Sequence, residues 1–126
     1  MHFILLSESR HNADLGDLRR AIVDVSVACE VYLRSSVLGA LPSGILAEAV
    51  MQIENANINQ FVSHMFPALL TDEAKKEYKR SVKDELSSLF NRRNKLMHMA
   101  AMGDLTHERC MQYQKAVEAL FGLARR

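Results

Sequence analysis

The chain has 126 residues, enough for one domain around one core and too few for two. Its hydrophobic share of 48% suits a packed globule and, with no low-complexity tract, excludes a disordered chain. A formal net charge of +1 excludes a uniformly basic coat for nucleic acid but leaves room for a local basic strip.

Only Pro42 and Pro67 interrupt the chain, both where helical periodicity lapses. Such sparse punctuation fits long helices with short connections. Val and Ile recur inside 3.6-residue patterns rather than alternating runs, so the expected class is all-α. Cys29 and Cys110 each fall on an apolar helical face and read as reduced core residues. No CxxC or HxxxH pair occurs, so neither a metal nor a cofactor is implied. The run Phe3-Ile4-Leu5-Leu6 is too short for a signal peptide or a membrane span, which makes the cytoplasm the default location.

Five helices are expected. The first spans about His2 to Ala13, with Gly16 as its stop and Asp17 as the next N-cap. The second, about Leu18 to Leu38, sets Leu18, Ile22, Val25, Cys29 and Tyr32 on one face. Val23, Val27 and Val31 occupy the other, as in a central helix covered nearly all round. Asp24 and Glu30 are its only acids, and at least one needs a partner. After a turn at Leu41-Pro42-Ser43-Gly44, a third helix is expected over about Ile45 to Met65, with Leu46, Val50, Ile53, Phe61 and Met65 as its stripe. The Asn-rich stretch 54–60 marks a bend or an exposed face. Thr71 caps the fourth and longest helix, which carries Asp72 and Glu73 in its first turn and runs to about Ala100 or Ala101. Gly103 and Asp104 close it, and Thr106 or Asp104 caps the fifth. That helix turns Cys110, Tyr113, Val117, Leu120 and Phe121 inward and ends at Arg125-Arg126. The architecture these lengths favour is an antiparallel four-helix bundle plus one additional short helix, in a single domain over 1–126.

The fourth helix has two faces at about 100° per residue. Tyr78, Val82, Leu86, Leu89, Leu96 and Met97 define the core side, and Arg93 falls in that sector. An arginine in core register needs a partner, with Glu30 first and Asp24 second. On the far side lie Lys76, Arg80, Lys83, Ser87, Asn91, Asn94 and His98, with no carboxylate at the centre of the strip. Cations arranged so can meet phosphates without competition from their own chain. Asn94 and His98 share a face. Arg93 and His98 stand about 140° apart, so convergence on one spot needs the helix to fray near His98, Arg93 to swing out, or a second copy to supply part of the site, and the geometry favours a symmetric dimer with two such helix ends face to face.

The run Leu89-Phe90-Asn91-Arg92-Arg93-Asn94-Lys95-Leu96-Met97-His98, an Arg-Asn followed by three residues and His late in a long helix, resembles the HEPN superfamily. The upstream Gly16-Asp17-Leu18-Arg19-Arg20-Ala21 and Ala28-Cys29-Glu30 resemble its second helix. Met99 stands where many relatives carry a small residue after the His. Active members are metal-independent ribonucleases working at a homodimer interface, often as toxins or phage-defence effectors with a cognate antitoxin protein. The resemblance therefore implies RNA as partner and His98 as general base or acid. It gives Arg93 the charge on the phosphorane, Asn94 the orientation of phosphate or imidazole, and Glu30 a supporting place. Lys76, Arg80, Lys83 and Asn91 would contact RNA. Imidazole titrates near neutrality and can take a 2′-hydroxyl proton, while guanidinium offers a fixed fork to phosphate oxygens.

Two other readings stand beside this one. A HEPN-like module could dimerise or bind RNA or a protein without catalysis, Arg93 then serving the fold. An unrelated helical regulator could lay the basic helix on DNA, although no compact helix-turn-helix signature is present.

Overall fold

The computed structural model describes residues 1–99 and 105–123, with the side chains of His98 and Met99 outside that description. The turn at Gly103 and Asp104, Asp104 as a cap, and Arg125-Arg126 also lie outside the described residues. Every regular element described is helical. Helix α1 spans His2–Asp14, α2 Leu18–Gly39 and α3 Ala47–Glu54. Helix α4 covers residues 58–65, an α-turn at Ile58–Gln60 passing into a wider i→i+5 turn at Phe61–Met65. A 3₁₀ turn at Pro67–Leu69 leads to α5, residues 72–99, which carries a second i→i+5 turn at Tyr78–Val82. Helix α6 spans His107–Leu123. None of these helices is long and apolar enough to cross a membrane.

Local chemistry sets the boundaries. Gly16 takes φ +85° after α1, a left-handed conformation that costs a glycine little. The Asp17 side chain then accepts from Arg20 N at 3.2 Å and caps α2. Thr71 caps α5 by accepting from Ala74 N at 3.2 Å, and Thr106 caps α6 by accepting from Arg109 N at 3.1 Å.

Helix α2 is the axis of the bundle, packed by α1, α4, α5 and α6. Its Ile22, Val25, Cys29 and Leu33 are fully buried, against a core that includes Tyr78, Tyr113, Phe61 and Phe66. A small buried polar bridge ties three helices: Ser9 Oγ donates to the Ala21 carbonyl at 2.7 Å and receives Gln114 Nε2 at 3.0 Å. Each buried polar atom there is satisfied, which removes the desolvation penalty it would otherwise carry.

Three expectations change. The second helix is not covered all round, since Val23 and Val27 are 38% and 37% exposed. The third helix begins at Ala47 and breaks at residues 55–57, where Asn57 caps the next segment by accepting from Gln60 N. No residue of α3 is buried, and Leu46, placed on its stripe, is 75% exposed, so α3 rides on the edge of the bundle. Met97, assigned to the core side, is 70% exposed. Leu96 beside it stays buried at 2% exposure, so at this turn the core side runs through Leu89, Phe90, half-buried Arg93 and Leu96 and leaves Met97 outside it.

Candidate functional site

The course of α5 decides what its faces present. Ala74, Tyr78, Val82 and Leu86 are all buried and follow every four residues, a spacing that drifts about 40° per turn on an ideal helix. The wider turn at Tyr78–Val82 takes up that drift, since an i→i+5 turn holds one residue more than an α-turn. The Tyr78 hydroxyl donates to the carbonyl of Val62, inside the other wide turn, at 2.5 Å. Burial, and then the neighbouring Cys29, push the Tyr78 phenol well above its ordinary range.

Beyond that turn, Leu86, Leu89 and Phe90 return to the core and bring Arg93 against α2. Arg93 Nη1 donates to Glu30 Oε1 at 3.0 Å, and its guanidinium carbon lies 5.0 Å from the centre of the Phe90 ring. The side chain keeps 18% of its surface. Its Nε is buried and has no hydrogen-bond partner among the described residues. Asp24, the second candidate partner, instead accepts from Asn12 Nδ2 at 2.8 Å. Glu30 also accepts from Arg34 Nε at 3.3 Å, so one carboxylate serves two guanidinium groups and leaves a formal surplus of one positive charge. Below this pair sits the Cys29 thiol, fully buried and pushed up by burial first and by Glu30 second, with Arg93 opposing.

The last turn of α5 is pinned from outside the motif. Arg19 Nη2 donates to the Leu96 carbonyl at 3.3 Å, a cation at a helix C-terminus where carbonyls lack partners. Asn94, Lys95 and Asn91 are exposed. His98 lies in the final helical turn, one turn past Asn94.

The basic strip is less continuous than a straight helix suggests. The wide turn sets the phase between Lys76 and Asn91 back by roughly one residue, about 100°. Arg80 Nη2 is bonded to Glu77 Oε2 at 2.5 Å, so a carboxylate does compete for one of the strip's cations. Lys76 is exposed and Lys83 half-buried. The residues that cluster by structure are therefore Arg93, Glu30 and Arg34, with Arg19 apart from them on the Leu96 carbonyl.

On the other side of α5 lies a seam with α6 that sequence reasoning missed. Arg109 Nη1 donates to Glu85 Oε2 at 2.8 Å and to Gln112 Oε1 at 2.6 Å, while Nη2 donates to Ser88 Oγ at 3.1 Å. The same guanidinium lies 4.3 Å from the centre of the Tyr113 ring. The Tyr113 hydroxyl accepts from Arg92 Nε at 3.3 Å and shares a hydrogen bond with Ser88 Oγ at 2.8 Å. Tyr113 is placed in the core by its apolar spacing, which reports the ring and says nothing of the hydroxyl. Among the described residues no three His, Cys, Asp or Glu side chains converge as a metal site would require.

Comparison with protein-family models, with curated proteins and with solved structures gives no match.

Proposed function

We propose that the chain is a HEPN-type endoribonuclease that cleaves RNA by attack of a 2′-hydroxyl, without a metal, at a site completed by a second copy. The observation that carries the reading is Arg93: a guanidinium held at the core's edge by Glu30 and Phe90, inside the run Arg93-Asn94-x3-His98. His98 takes the 2′-hydroxyl proton, O2′ bonds to phosphorus, and the P–O5′ bond breaks with a proton delivered to O5′. The products are a 2′,3′-cyclic phosphate and a 5′-hydroxyl. Arg93 stabilises the charge on the phosphorane oxygens and Asn94 orients the phosphate. A toxin or defence role with an antitoxin partner belongs to the same proposal.

The two-copy arrangement draws support from the surface beside Arg93. Arg19, Val23, Val27 and Glu30 fall within a sector of about 80° on α2. The outer two contact the end of α5, and the valines between them are exposed, as is Met97 one turn past Arg93. Apolar surface next to an incomplete site suits a second copy.

A binding module without catalysis is the second reading. It is favoured by the ion pairs that already engage Arg93 with Glu30 and Arg80 with Glu77.

One experiment separates the two: incubation with structured RNAs in EDTA, alongside His98→Ala and Arg93→Ala variants of verified helicity. The nuclease reading expects 2′,3′-cyclic phosphate ends from wild type and a loss of at least about a hundredfold in each variant. Intact RNA with every protein, together with retained RNA binding, would replace it with the binding module.

A further inference from the structure

Glu30 is not dedicated to Arg93. Its Oε1 faces Arg93 Nη1 at 3.0 Å, and its Oε2 is occupied by Arg34 Nε at 3.3 Å. Arg34 is itself fixed on two further sides. Its guanidinium lies 4.6 Å from the centre of the Phe61 ring, in the wide turn of α4. Its Nη1 donates to the Glu54 carbonyl, the last residue of α3, at 3.0 Å. A carboxylate left alone with an arginine prefers to accept two parallel N–H bonds from one edge of the guanidinium. On Arg93 the donor that shares an edge with Nη1 is Nη2, which can supply that second bond, while the buried Nε lies on the other edge and has no partner among the described residues. What stands in the way is the occupation of Oε2.

We propose that Arg34 is the positioning residue of the site: by holding Oε2 of Glu30 it keeps Arg93 singly bonded, with charge left over for a phosphate. This rests on the ribonuclease reading of the same site. Two cations then share one anion, and the cluster keeps a net positive charge facing the end of α5. Without Arg34, Glu30 closes on Arg93 as a neutral bidentate pair, and the guanidinium that should meet the phosphorane is spent within the chain. The exposed helix α3 and the Phe61 turn, which touch no residue of the Arg-Asn-x3-His run in sequence, thereby become part of the frame that sets Arg93. Arg34 acts through Glu30 and makes no contact with the reacting atoms.

The test is a double-mutant cycle on the full chain, comparing wild type, Arg34→Ala, Glu30→Gln and the double variant, with Arg34→Lys as the conservative control. Helicity and Tm are recorded for each. In RNA cleavage, Arg34→Ala lowers kcat by about tenfold to a hundredfold with KM little changed, as misplacement of a catalytic group does. Arg34→Lys recovers most of the loss. In the Glu30→Gln background Arg34→Ala adds nothing, because a neutral amide cannot neutralise Arg93. An equal loss in both backgrounds, or an unchanged kcat in folded Arg34→Ala, overturns the proposal. A second readout does not need RNA at all: modification of Arg93 by phenylglyoxal, followed by peptide mass spectrometry. Arg34→Ala slows that modification if Glu30 closes on Arg93, and an unchanged or faster rate overturns the positioning role. A wild type that leaves RNA intact sinks the ribonuclease reading, while the phenylglyoxal rates still decide what Arg34 does to Arg93.

Discussion

Arg92 and Arg93 are neighbours in sequence that serve opposite seams of the bundle, and the two seams are finished differently. On the α6 side, Arg92 reaches Tyr113, and Arg109 spends its donors on Glu85, Gln112 and Ser88 while stacking on the Tyr113 ring. Donors and acceptors there close on one another, as expected of a polar helix–helix seam that serves the fold. On the α2 side, two guanidinium groups share one carboxylate and a buried Nε of Arg93 has no partner among the described residues. Unspent donors cost stability, and a functional role is one reason a native protein retains them. The contrast teaches that a charge count alone does not mark a site. What marks it is charge left over after the local partners are satisfied.

The comparison can be broken most directly at Glu30. Glu30→Ala strands the largely buried Arg93 without its anion, and removal of one member of such a pair is costly. The expected loss is about 2–3 kcal/mol in urea unfolding, less than for a fully enclosed pair because Glu30 still reaches solvent. Adding Arg93→Leu to Glu30→Ala should recover most of that loss, since an apolar side chain there no longer needs a partner. A stable Glu30→Ala protein, within 0.5 kcal/mol or so of wild type, would mean that Arg93 swings out to water at little cost.

A second prediction uses the thiol beneath the same pair. Burial raises Cys29 above its ordinary value of 9.0, and Tyr78 above 10.0. The folded protein therefore keeps protons that the unfolded chain releases. The stability this represents is complete below the ordinary values and is lost as pH rises past them. Stability should stay level up to about pH 8.5 and then fall by up to about 1.4 kcal/mol per pH unit for each group. Cys29→Ala should flatten the first part of that decline, between pH 9 and 10 or so, in urea unfolding followed across pH. Because Arg93 opposes the rise and Glu30 adds to it, the same titration repeated in Glu30→Gln reports on the charge balance of the site.

The features legible in the sequence are those fixed by neighbours along the chain. Gly16 with Asp17, Thr71 and Thr106 mark helix ends because capping is a matter of three or four residues. Arg93 was legible as an anomaly, and Glu30 as its partner, because a charge in core register has few solutions. The wide turns at Phe61–Met65 and Tyr78–Val82 were not, since an extra residue in a helical turn leaves no mark in composition. That turn is why a strip drawn at a constant 100° from Lys76 to His98 overstates its continuity. The valines of α2 were misread for a different reason: an apolar helix looks the same in sequence whether its last face is covered or open. Arg19, Arg34, Arg109 and the Tyr113 hydroxyl depend on partners in other helices, or on how one carboxylate is divided, and helical periodicity cannot report either.

The smallest expected effect is also the cleanest separation of the two seams. Tyr113→Phe removes one hydroxyl from a fully buried ring and leaves Ser88 Oγ and Arg92 Nε to find other partners. Both side chains reach solvent in part, so the expected loss is about 1 kcal/mol in urea unfolding rather than the larger cost of an enclosed orphan. If the α6 seam serves only the fold, RNA cleavage by Tyr113→Phe measured well below its Tm stays within about twofold of wild type. Arg92 keeps its charge in this variant and loses only one acceptor, so its position and not its presence is under test. A folded Tyr113→Phe protein whose kcat falls tenfold or more would erase the distinction between the two arginines. The site would then have to be redrawn across α5, with Arg92 and Arg93 acting on RNA from both of its sides.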